Sequence, residues 1–317
     1  MRHLRNLERP GQTDLVLYRS GTATLPQTDL ADYPVEGDLQ AALERWSPDA
    51  VIITNPTALH LEVAIPAARR GCHLFLEKPI SDRVERLDDL RSALATGGGQ
   101  VLVGFQYRYH PTLLHAKRLV EQGEVGRPIM ARANYGDYLP DWHIGEDYRQ
   151  SYSARAELGG GVLLTLCHPF DYLRWILGEI QALNAVVDDG QALGIEVETV
   201  ALVALEFEAG VLASVNLDYH QRPPRHHLEI VCTGGTILWD QADGLLRWWH
   251  ADRAEWLSAS VPDGYERNDM FLDEMKHFVK VIEGGIDPAC TLEDGVRALV
   301  ISLAARQSAH EGARVRL

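Results

Sequence analysis

The sequence predicts an α/β fold: a Rossmann-type doubly wound parallel sheet, incomplete at its N-terminus, followed by an α+β domain with a largely antiparallel open sheet. Before residue 110, short apolar runs alternate with amphipathic stretches, which is typical of buried parallel strands covered by helices. After residue 178, short runs alternate between apolar and polar residues, which indicates antiparallel strands. The 317 residues also exceed what one hydrophobic core fills, because single cores stop growing at about 250 to 300 residues.

We therefore predict a partial dinucleotide-binding domain over residues 1–109 and a substrate and oligomerisation domain over residues 110–317. Buried strands of the first domain are predicted at residues 15–18, 50–54, 73–77 and 101–105. Apolar residues recur at helical spacing between these strands, over residues 39–46, 61–68 and 84–94. The glycine triplet at 97–99 follows a helix and precedes a strand, so it is interpreted as a helix stop and not as a phosphate loop.

The second domain is predicted to begin with a helix that ends near residue 121. Its strands are predicted at residues 129–138, 182–188, 199–207, 211–219, 226–233, 236–240 and 245–250. Two final helices are predicted at 267–283 and 291–311. This spacing of strands predicts a largely antiparallel sheet.

Charge and cysteine content exclude several classes of function. The net charge of -15 repels phosphate backbones, so neither nucleic acid nor an anionic membrane is expected as a partner. The four cysteines form no CxxC pair, which indicates neither a disulfide framework nor a structural zinc site and favours a cytoplasmic location. No stretch approaches the ~20 apolar residues of a membrane span. A small molecule is the expected partner.

Polar residues follow the strand predicted at 50–54, at the sheet edge where ligands of open α/β folds bind. Asn55, Thr57 and His60 stand in this loop, where they can contact a nicotinamide or a ribose. An Asx turn followed by a helix N-cap explains the same residues without any ligand. Both interpretations stay open on the sequence alone.

Lys78 follows the next strand, 73–77, and precedes Pro79. At the carboxyl end of a buried strand, its ammonium can donate to a carbonyl or hydroxyl of a substrate. We expect burial to lower its pKa towards the range that suits general acid and base catalysis. The alternative is a solvated lysine paired with Glu77.

Three motifs in order make the prediction more specific: NPTALH at 55–60, EKP at 77–79 and VGFQYRYHP at 103–111. Their order and spacing resemble the Gfo/Idh/MocA oxidoreductases, the family of glucose-fructose oxidoreductase and inositol dehydrogenase. The resemblance extends over essentially the whole chain and implies hydride transfer with NAD or NADP, with Lys78 as the active-site lysine. It further implies cofactor contacts from Asn55, Thr57, His60, Glu77 and Gln106.

The segment AELGGG at 156–161 is predicted to open one helix that ends at Gly178. His168 on this helix resembles the catalytic histidine of the family, which exchanges a proton with the substrate hydroxyl while hydride leaves its carbon. Thr165 replaces an aspartate that many members carry, and a hydroxyl cannot act as a carboxylate base. Proton transfer is therefore assigned to Lys78 and His168. Asp171 shares a face with His168 and either orients it or caps local structure.

A dinucleotide-binding domain is expected to begin with a strand and a GxGxxG turn that binds the pyrophosphate. Neither occurs here, and residues 1–7 resemble the middle of the family's first helix. Two explanations of the missing strand and turn are considered. In the first, the start codon is misassigned; in the second, the gene begins here and pyrophosphate binding is impaired. We expect the former, because losing a central strand exposes apolar edges. The alternative function is a non-catalytic sensor or scaffold that has lost cofactor binding.

Arg19 and Ser20 follow the strand at 15–18, where an NAD site has an acidic residue for the ribose 2′-hydroxyl. An arginine and a serine there favour the 2′-phosphate of NADP, although a surface arginine explains the same pattern.

Aromatic and hydrogen-bonding side chains in the segments expected to face the cleft suit a sugar-like or cyclic polyol substrate. These residues are Tyr107, Arg108, Tyr138, Trp142, His143 and Tyr148. Thr165 and Asp171 complete the predicted substrate contacts. The resemblance further implies a homo-oligomer, dimer or tetramer, formed through the C-terminal sheet.

Overall fold

The computed structural model describes residues 2–8, 11, 14–21, 33–142 and 145–317. Its helices are α1 (Arg2–Glu8), α2 (Leu39–Trp46), α3 (His60–Arg69), α4 (Leu87–Gly97), α5 (Pro111–Glu121), α6 (Val162–Thr165), α7 (His168–Leu177), α8 (Arg267–Ile282) and α9 (Leu292–Glu311). Its strands are β1 (Leu17–Tyr18), β2 (Val35–Glu36), β3 (Ala50–Ile53), β4 (His73–Glu77), β5 (Val101–Gly104), β6 (Pro128–Gly136), β7 (Ile180–Val187), β8 (Val200–Phe207), β9 (Leu212–Asp218), β10 (Arg225–Cys232), β11 (Gly235–Asp240), β12 (Leu245–His250), β13 (Glu255–Ser260) and β14 (Val315–Arg316).

The strands of the N-terminal region are parallel, as the sequence predicts, but they form two separate sheets. β3, β4 and β5 make one three-stranded sheet, and β1 pairs with β2 in another. Within the described residues, no strand pairs with the outer edge of β3, where Val51 and Ile52 are half-buried. The prediction of a Rossmann-type parallel sheet is confirmed.

The C-terminal region contains a nine-stranded sheet in the order β13-β12-β11-β10-β6-β9-β8-β7-β14. Neighbouring strands are antiparallel except for the pair β6 and β9. The open antiparallel sheet predicted from alternating residues is confirmed, but β13 and β14 were not predicted. β14 has two residues, which is too short for an alternating pattern to be recognised.

The C-terminal helices pack against both sheets. The amide of Val103 in β5 donates to the carbonyl of Cys290 just before α9, at 3.0 Å. A Cβ atom on Gly295 in α9 would lie 2.6 Å from Ile80, so glycine permits this close approach. Because α9 contacts β5 as well as β7, the end of the chain also covers the first sheet. The boundary between residues 109 and 110 remains a prediction.

The prediction of one helix from the glycine triplet at 159–161 to Gly178 is wrong in one respect, because this segment forms two helices. α6 ends at Thr165, and α7 begins at His168. Pro169 explains the break: it has no N–H to donate to the carbonyl of Thr165 four residues earlier. That carbonyl is consequently available to a side chain from another element.

No helix among the described residues is both long and apolar enough to cross a membrane.

Candidate functional site

The loop after β3 is held by its own polar groups. The Asn55 side chain donates to the carbonyl of Leu59 at 2.9 Å, and the His60 ring contacts the Asn55 carbonyl at 2.9 Å. Burial lowers the pKa of His60, so the ring is neutral. The Asn55 Oδ1 atom is buried and has no hydrogen-bond partner among the described residues. This arrangement leaves one acceptor unsatisfied at the carboxyl end of β3.

The glycine triplet at 159–161 packs directly against the loop that follows β3. A Cβ atom on Gly159 would lie 2.9 Å from Cβ of Thr57 and 3.0 Å from Cβ of Asp82. Gly159 also has a φ of 82°, which side chains with a Cβ rarely adopt. Thr57 is buried by this contact and is 2% exposed. The sequence motifs at residues 55–60 and 156–161 thus meet in the folded chain.

Lys78 lies at the carboxyl end of β4 and binds the carbonyl that Pro169 leaves available. Its Nζ donates to the Thr165 carbonyl at 2.7 Å. Burial would lower the pKa of Lys78, but nearby acidic groups, Cys167 foremost, outweigh this and the pKa is raised. The expectation of a lowered pKa is therefore wrong, and Lys78 is an ammonium at neutral pH. The N–H of a charged lysine makes a stronger hydrogen bond than a neutral donor would.

Glu77 precedes this lysine and contacts α1. Its carboxylate lies 2.7 Å from the Nε2 of His3 and accepts the amide of Lys78 at 3.1 Å. Burial would raise the pKa of Glu77, but the hydrogen bond from His3 and the charge of Lys78 lower it. Glu77 is therefore an anion next to the Lys78 ammonium.

His168 begins α7 and is 2% exposed. Its Nε2 lies 3.3 Å from Nε2 of Gln106, whereas its Nδ1 has no partner among the described residues. The ring packs against Tyr107, with centroids 4.8 Å apart. Burial, followed by the charge of Lys78, holds the pKa of His168 well below 6.5. The site thus combines a neutral imidazole with a lysine ammonium.

Arg108 and Asp171, both predicted to contact substrate, bind each other in the folded chain. Arg108 Nε and Nη2 donate to the two carboxylate oxygens of Asp171 at 3.0 and 2.6 Å. Their side chains are 3% and 1% exposed. Asp294 joins Arg108 to Arg174, with contacts of 3.3 and 2.7 Å. The Asp171 carboxylate is thus committed to Arg108, and no contact to His168 is seen in the described part of the chain.

The other predicted residues are distributed over both sheets. Arg19 and Ser20 follow β1, and the Arg19 amide donates to the Glu36 carbonyl at 3.0 Å. Tyr107 is buried, and its hydroxyl donates to Gln241 at 3.1 Å. The remaining aromatic residues have contacts of their own: Tyr138 with Arg222, Trp142 with Tyr219, and Tyr148 with the carbonyl of Leu193. His143 lies outside the described residues.

Two buried residues of the site were missed by the sequence analysis. The register of β6 and β10 places Tyr135 opposite His226, and the rings stack with centroids 4.0 Å apart and planes 2° apart. The Tyr135 ring is also 6.1 Å from that of His168. Strand alternation identifies both positions as facing one side, but only the pairing of the strands shows that this side meets His168.

Glu274 in α8 is a buried carboxyl group near enough to Glu77 and Asp171 for their charges to act on it. It is 1% exposed, and its Oε1 has no hydrogen-bond partner in the described part of the molecule. Burial, reinforced by the charges of Glu77 and Asp171, raises its pKa well above 4.5. The folded state holds the proton of Glu274 more tightly than the unfolded state does. The stabilisation that results is therefore fully present below about pH 4.5, the pKa in the unfolded chain, and is lost as the pH rises through the pKa in the folded chain.

Glu274→Gln is therefore expected to raise the melting temperature at about pH 8 and to have a smaller effect at about pH 4. Each unit of pKa shift corresponds to about 1.4 kcal/mol in the free energy of unfolding. Thermal denaturation followed by circular dichroism at several pH values measures the effect. Glu283→Gln, at the exposed end of the same helix, is the control. An equal shift at both pH values would contradict this explanation.

A Rossmann-type parallel sheet with a lysine at its carboxyl edge, followed by a large, mostly antiparallel sheet, is typical of nicotinamide-dependent oxidoreductases. A family model for the oxidoreductase family with an NAD-binding Rossmann fold matches residues 5–105. A model for the GFO/IDH/MocA C-terminal domain matches residues 113–238. The chain belongs to the Gfo/Idh/MocA family of oxidoreductases, as its motifs indicated.

Characterised relatives support this assignment. The chain is 29% identical to myo-inositol 2-dehydrogenase of Thermotoga maritima over 297 residues, which cover 88% of this chain and 83% of that protein. It is 26% identical to D-xylose 1-dehydrogenase (NADP(+)) 2 of Haloferax volcanii over 286 residues, covering 89% and 84%. Levoglucosan dehydrogenase, solved with NADH and levoglucosan, has the same fold, with a TM-score of 0.88, 21% identity and coverage of 100% and 96%.

Proposed function

We propose that the chain transfers a hydride between NAD(P) and a secondary alcohol or ketone of a sugar-like or cyclic polyol substrate. The observation that carries this proposal is the hydrogen bond from Lys78 Nζ to the Thr165 carbonyl at 2.7 Å, which brings the lysine to the end of α6, three residues before the buried His168 begins α7. A proton acceptor and a cationic donor are what oxidation of an alcohol requires. The relatives named as inositol, xylose and levoglucosan dehydrogenases support the substrate class.

We propose that the substrate proton is accepted by Nδ1 of His168, the ring nitrogen that has no hydrogen-bond partner among the described residues. The amide oxygen and nitrogen of glutamine are interchangeable by a flip of the side chain, so we place Oε1 of Gln106 against the imidazole. Nε2–H of His168 then donates to Gln106, and Nδ1 carries the lone pair that accepts the proton of the substrate hydroxyl. The Lys78 ammonium stabilises the oxygen as negative charge develops on it.

The residues around the sheet edge fit a nicotinamide dinucleotide. The unsatisfied Asn55 Oδ1 can accept a hydrogen bond from a carboxamide or hydroxyl, and Thr57 lies in the same loop. When bound, the oxidised nicotinamide supplies the hydride acceptor. We assign direct contact to Asn55, Thr57 and Gln106. We assign His60 and Glu77 an indirect role in cofactor binding, because their side chains are engaged within the protein. The His60 ring contacts the Asn55 carbonyl, and the Glu77 carboxylate contacts His3 and the Lys78 amide.

We further propose that Arg19 and Ser20 bind the 2′-phosphate of NADP. They stand at the carboxyl end of β1, where the adenosine ribose binds in Rossmann domains. Arginine forms bidentate hydrogen bonds with phosphate. The relatives include one named for NADP and one solved with NADH.

The outer face of the large sheet supports a homo-oligomer. Val186, Leu202 and Leu212 lie on the adjacent strands β7, β8 and β9 and are 68%, 52% and 58% exposed. Val186 pairs directly with Leu202, whereas Leu212 lies further along the same face, opposite Glu206; exposed apolar residues that share a face are typical of interfaces. We propose that this face forms a dimer or tetramer contact in the cytoplasm, a reducing compartment that agrees with four free cysteines.

The proposed function is tested by fluorescence titration of NADPH and NADH, followed by oxidation assays with inositols and sugars. We expect NADPH to bind more tightly, and Arg19→Glu to weaken NADPH binding by about 10- to 100-fold with little effect on NADH. Arg69→Glu, at the exposed end of α3, is the control. Binding of neither nucleotide would overturn the proposal in favour of the non-catalytic sensor or scaffold.

A further inference from the structure

A histidine of the first helix contacts the residue that precedes Lys78. His3 in α1 lies 74 residues before Glu77, and its Nε2 is 2.7 Å from Oε1 of that carboxylate at the end of β4. A carboxylate only accepts hydrogen bonds, so Nε2–H of His3 is the donor. The two side chains are 14% and 23% exposed. The pair is therefore largely shielded from solvent.

Packing against two other elements fixes the position of this histidine. The His3 ring centroid lies 5.1 Å from that of Phe75 in β4 and 6.4 Å from that of Phe271 in α8. Asn6, on the same helix, is 2% exposed and accepts a hydrogen bond from Asn268 of α8 at 2.9 Å. These contacts hold α1 against β4 and α8, so the ring of His3 is directed at the end of β4.

The second oxygen of the Glu77 carboxylate binds the backbone of the lysine. Oε2 accepts the amide of Lys78 at 3.1 Å. A Cβ atom on Gly104 would lie 3.2 Å from the same oxygen, so the glycine that ends β5 leaves room for it. A carboxylate accepts a stronger hydrogen bond than a neutral carboxyl group does. Glu77 thus joins His3 to Lys78, with one oxygen on the histidine ring and the other on the lysine backbone.

The other ionisable groups around Glu77 do not replace this contact. They are Arg2 in α1, His60 in α3, the neighbouring Lys78, Cys167, and Glu274 in α8. Burial lowers the pKa of His60 and raises that of Cys167 to about 12, so both are uncharged at neutral pH. Among the described residues, His3 alone donates a side-chain hydrogen bond to Glu77. Burial would raise the pKa of Glu77, and this hydrogen bond is the largest effect that opposes burial.

We propose that His3 is a positioning residue of the active site: its hydrogen bond fixes the Glu77 carboxylate, which in turn orients the backbone of Lys78. This inference rests on the proposed dehydrogenase function, in which the Lys78 ammonium stabilises the reacting oxygen. Without His3, Glu77 would be a buried carboxylate that lacks a side-chain donor. Burial would then raise its pKa, and a protonated Glu77 would hold the Lys78 amide less firmly.

His3→Phe tests the inference, because it keeps an aromatic ring against Phe75 and removes the donor. At about pH 6 we expect kcat to fall by about 10- to 100-fold, the cost of displacing a catalytic group slightly, with little change in KM. The loss should shrink towards about pH 9, because Glu77 ionises again as the pH rises through its raised pKa. Glu77→Gln is neutral at every pH, so its loss should be similar at both pH values. His3→Gln supplies an amide N–H and should keep most of the turnover.

Asn6→Ala is the matched control, because it removes the contact with Asn268 and loosens α1 without removing the donor to Glu77. It should lower the melting temperature, but the pH dependence of its turnover should match that of the unmodified chain. His3→Phe and Glu77→Gln together should cost about as much in kcat as either alone, whereas Asn6→Ala and Glu77→Gln should be additive. A loss in His3→Phe that is equal at both pH values, or one that Asn6→Ala reproduces, would overturn the inference.

A measurement without turnover separates this inference from the proposed function. The ¹³C NMR signal of the Glu77 side-chain carboxyl, assigned by its loss in Glu77→Gln, reports the ionisation of that group. At about pH 6 we expect an ionised carboxylate in the unmodified chain and a protonated one in His3→Phe. A carboxylate that stays ionised in His3→Phe refutes the inference even in an active enzyme. Protonation in His3→Phe, in a chain that binds no nucleotide, supports the contact and refutes the dehydrogenase function alone.

Discussion

Lys78→Ala is expected to lower kcat by about 10²- to 10³-fold, the range for removal of one group that stabilises negative charge developing on an oxygen. The physical reason is the raised pKa of Lys78, which keeps its ammonium charged at neutral pH beside the neutral ring of His168. Alanine removes the positive charge that the Thr165 carbonyl holds at the carboxyl end of β4. The oxygen of the substrate would then develop negative charge without a cation to stabilise it.

The measurement is steady-state turnover of the best substrate, together with nucleotide affinity and the melting temperature of the variant. Lys280→Ala, which removes an exposed lysine from α8, is the matched control and should keep full activity. Unchanged nucleotide binding with lost turnover supports a catalytic role. Full turnover by Lys78→Ala would refute the assignment of the proton chemistry to this pair.

Most helices and strands could be predicted because the residue patterns that indicate them lie within a single segment of the chain. The strand at 73–77 coincides with β4, and the helical spacing over 39–46 coincides with α2. Buried parallel strands are short continuous apolar runs, and helix faces repeat about every 3.6 residues, so each can be recognised within one segment. The break between α6 and α7 depends on one missing N–H at Pro169, which a count of apolar positions does not include.

Residues of the site could be predicted from the sequence only where their position along a strand places them at the ligand-binding edge of the sheet. Lys78 follows directly from the end of β4, since ligands bind at that edge of an open sheet. The partner of Arg108 could not be predicted from the sequence, because Asp171 lies 63 residues away and meets it only when α7 packs against residues 106–109 after β5. Likewise, Tyr135 and His226 become neighbours through the register of β6 and β10. Contacts between distant segments need the tertiary structure, and so do the pKa shifts they cause.

Asp171→Ala is expected to lower the free energy of unfolding by about 3–5 kcal/mol, because it leaves the buried Arg108 guanidinium without its main partner. Denaturation with urea measures this change. Glu206→Ala is the control: Glu206 binds Arg314 through two contacts of 2.7 and 2.6 Å, yet both side chains are largely exposed. An exposed pair contributes about 1 kcal/mol or less. A similar small loss for both variants would contradict the argument.

The double variant Arg108→Met/Asp171→Leu separates a structural role from substrate binding. Burial raises the pKa of Asp171 even though the Arg108 charge opposes the shift, so desolvation of this pair offsets much of its attraction. Removing both charges should therefore destabilise the protein less than Asp171→Ala alone. If the two residues instead bound substrate, as their sequence positions first suggested, the double variant would raise KM while Asp171→Ala left stability nearly unchanged. The bidentate contact and its burial favour the structural role.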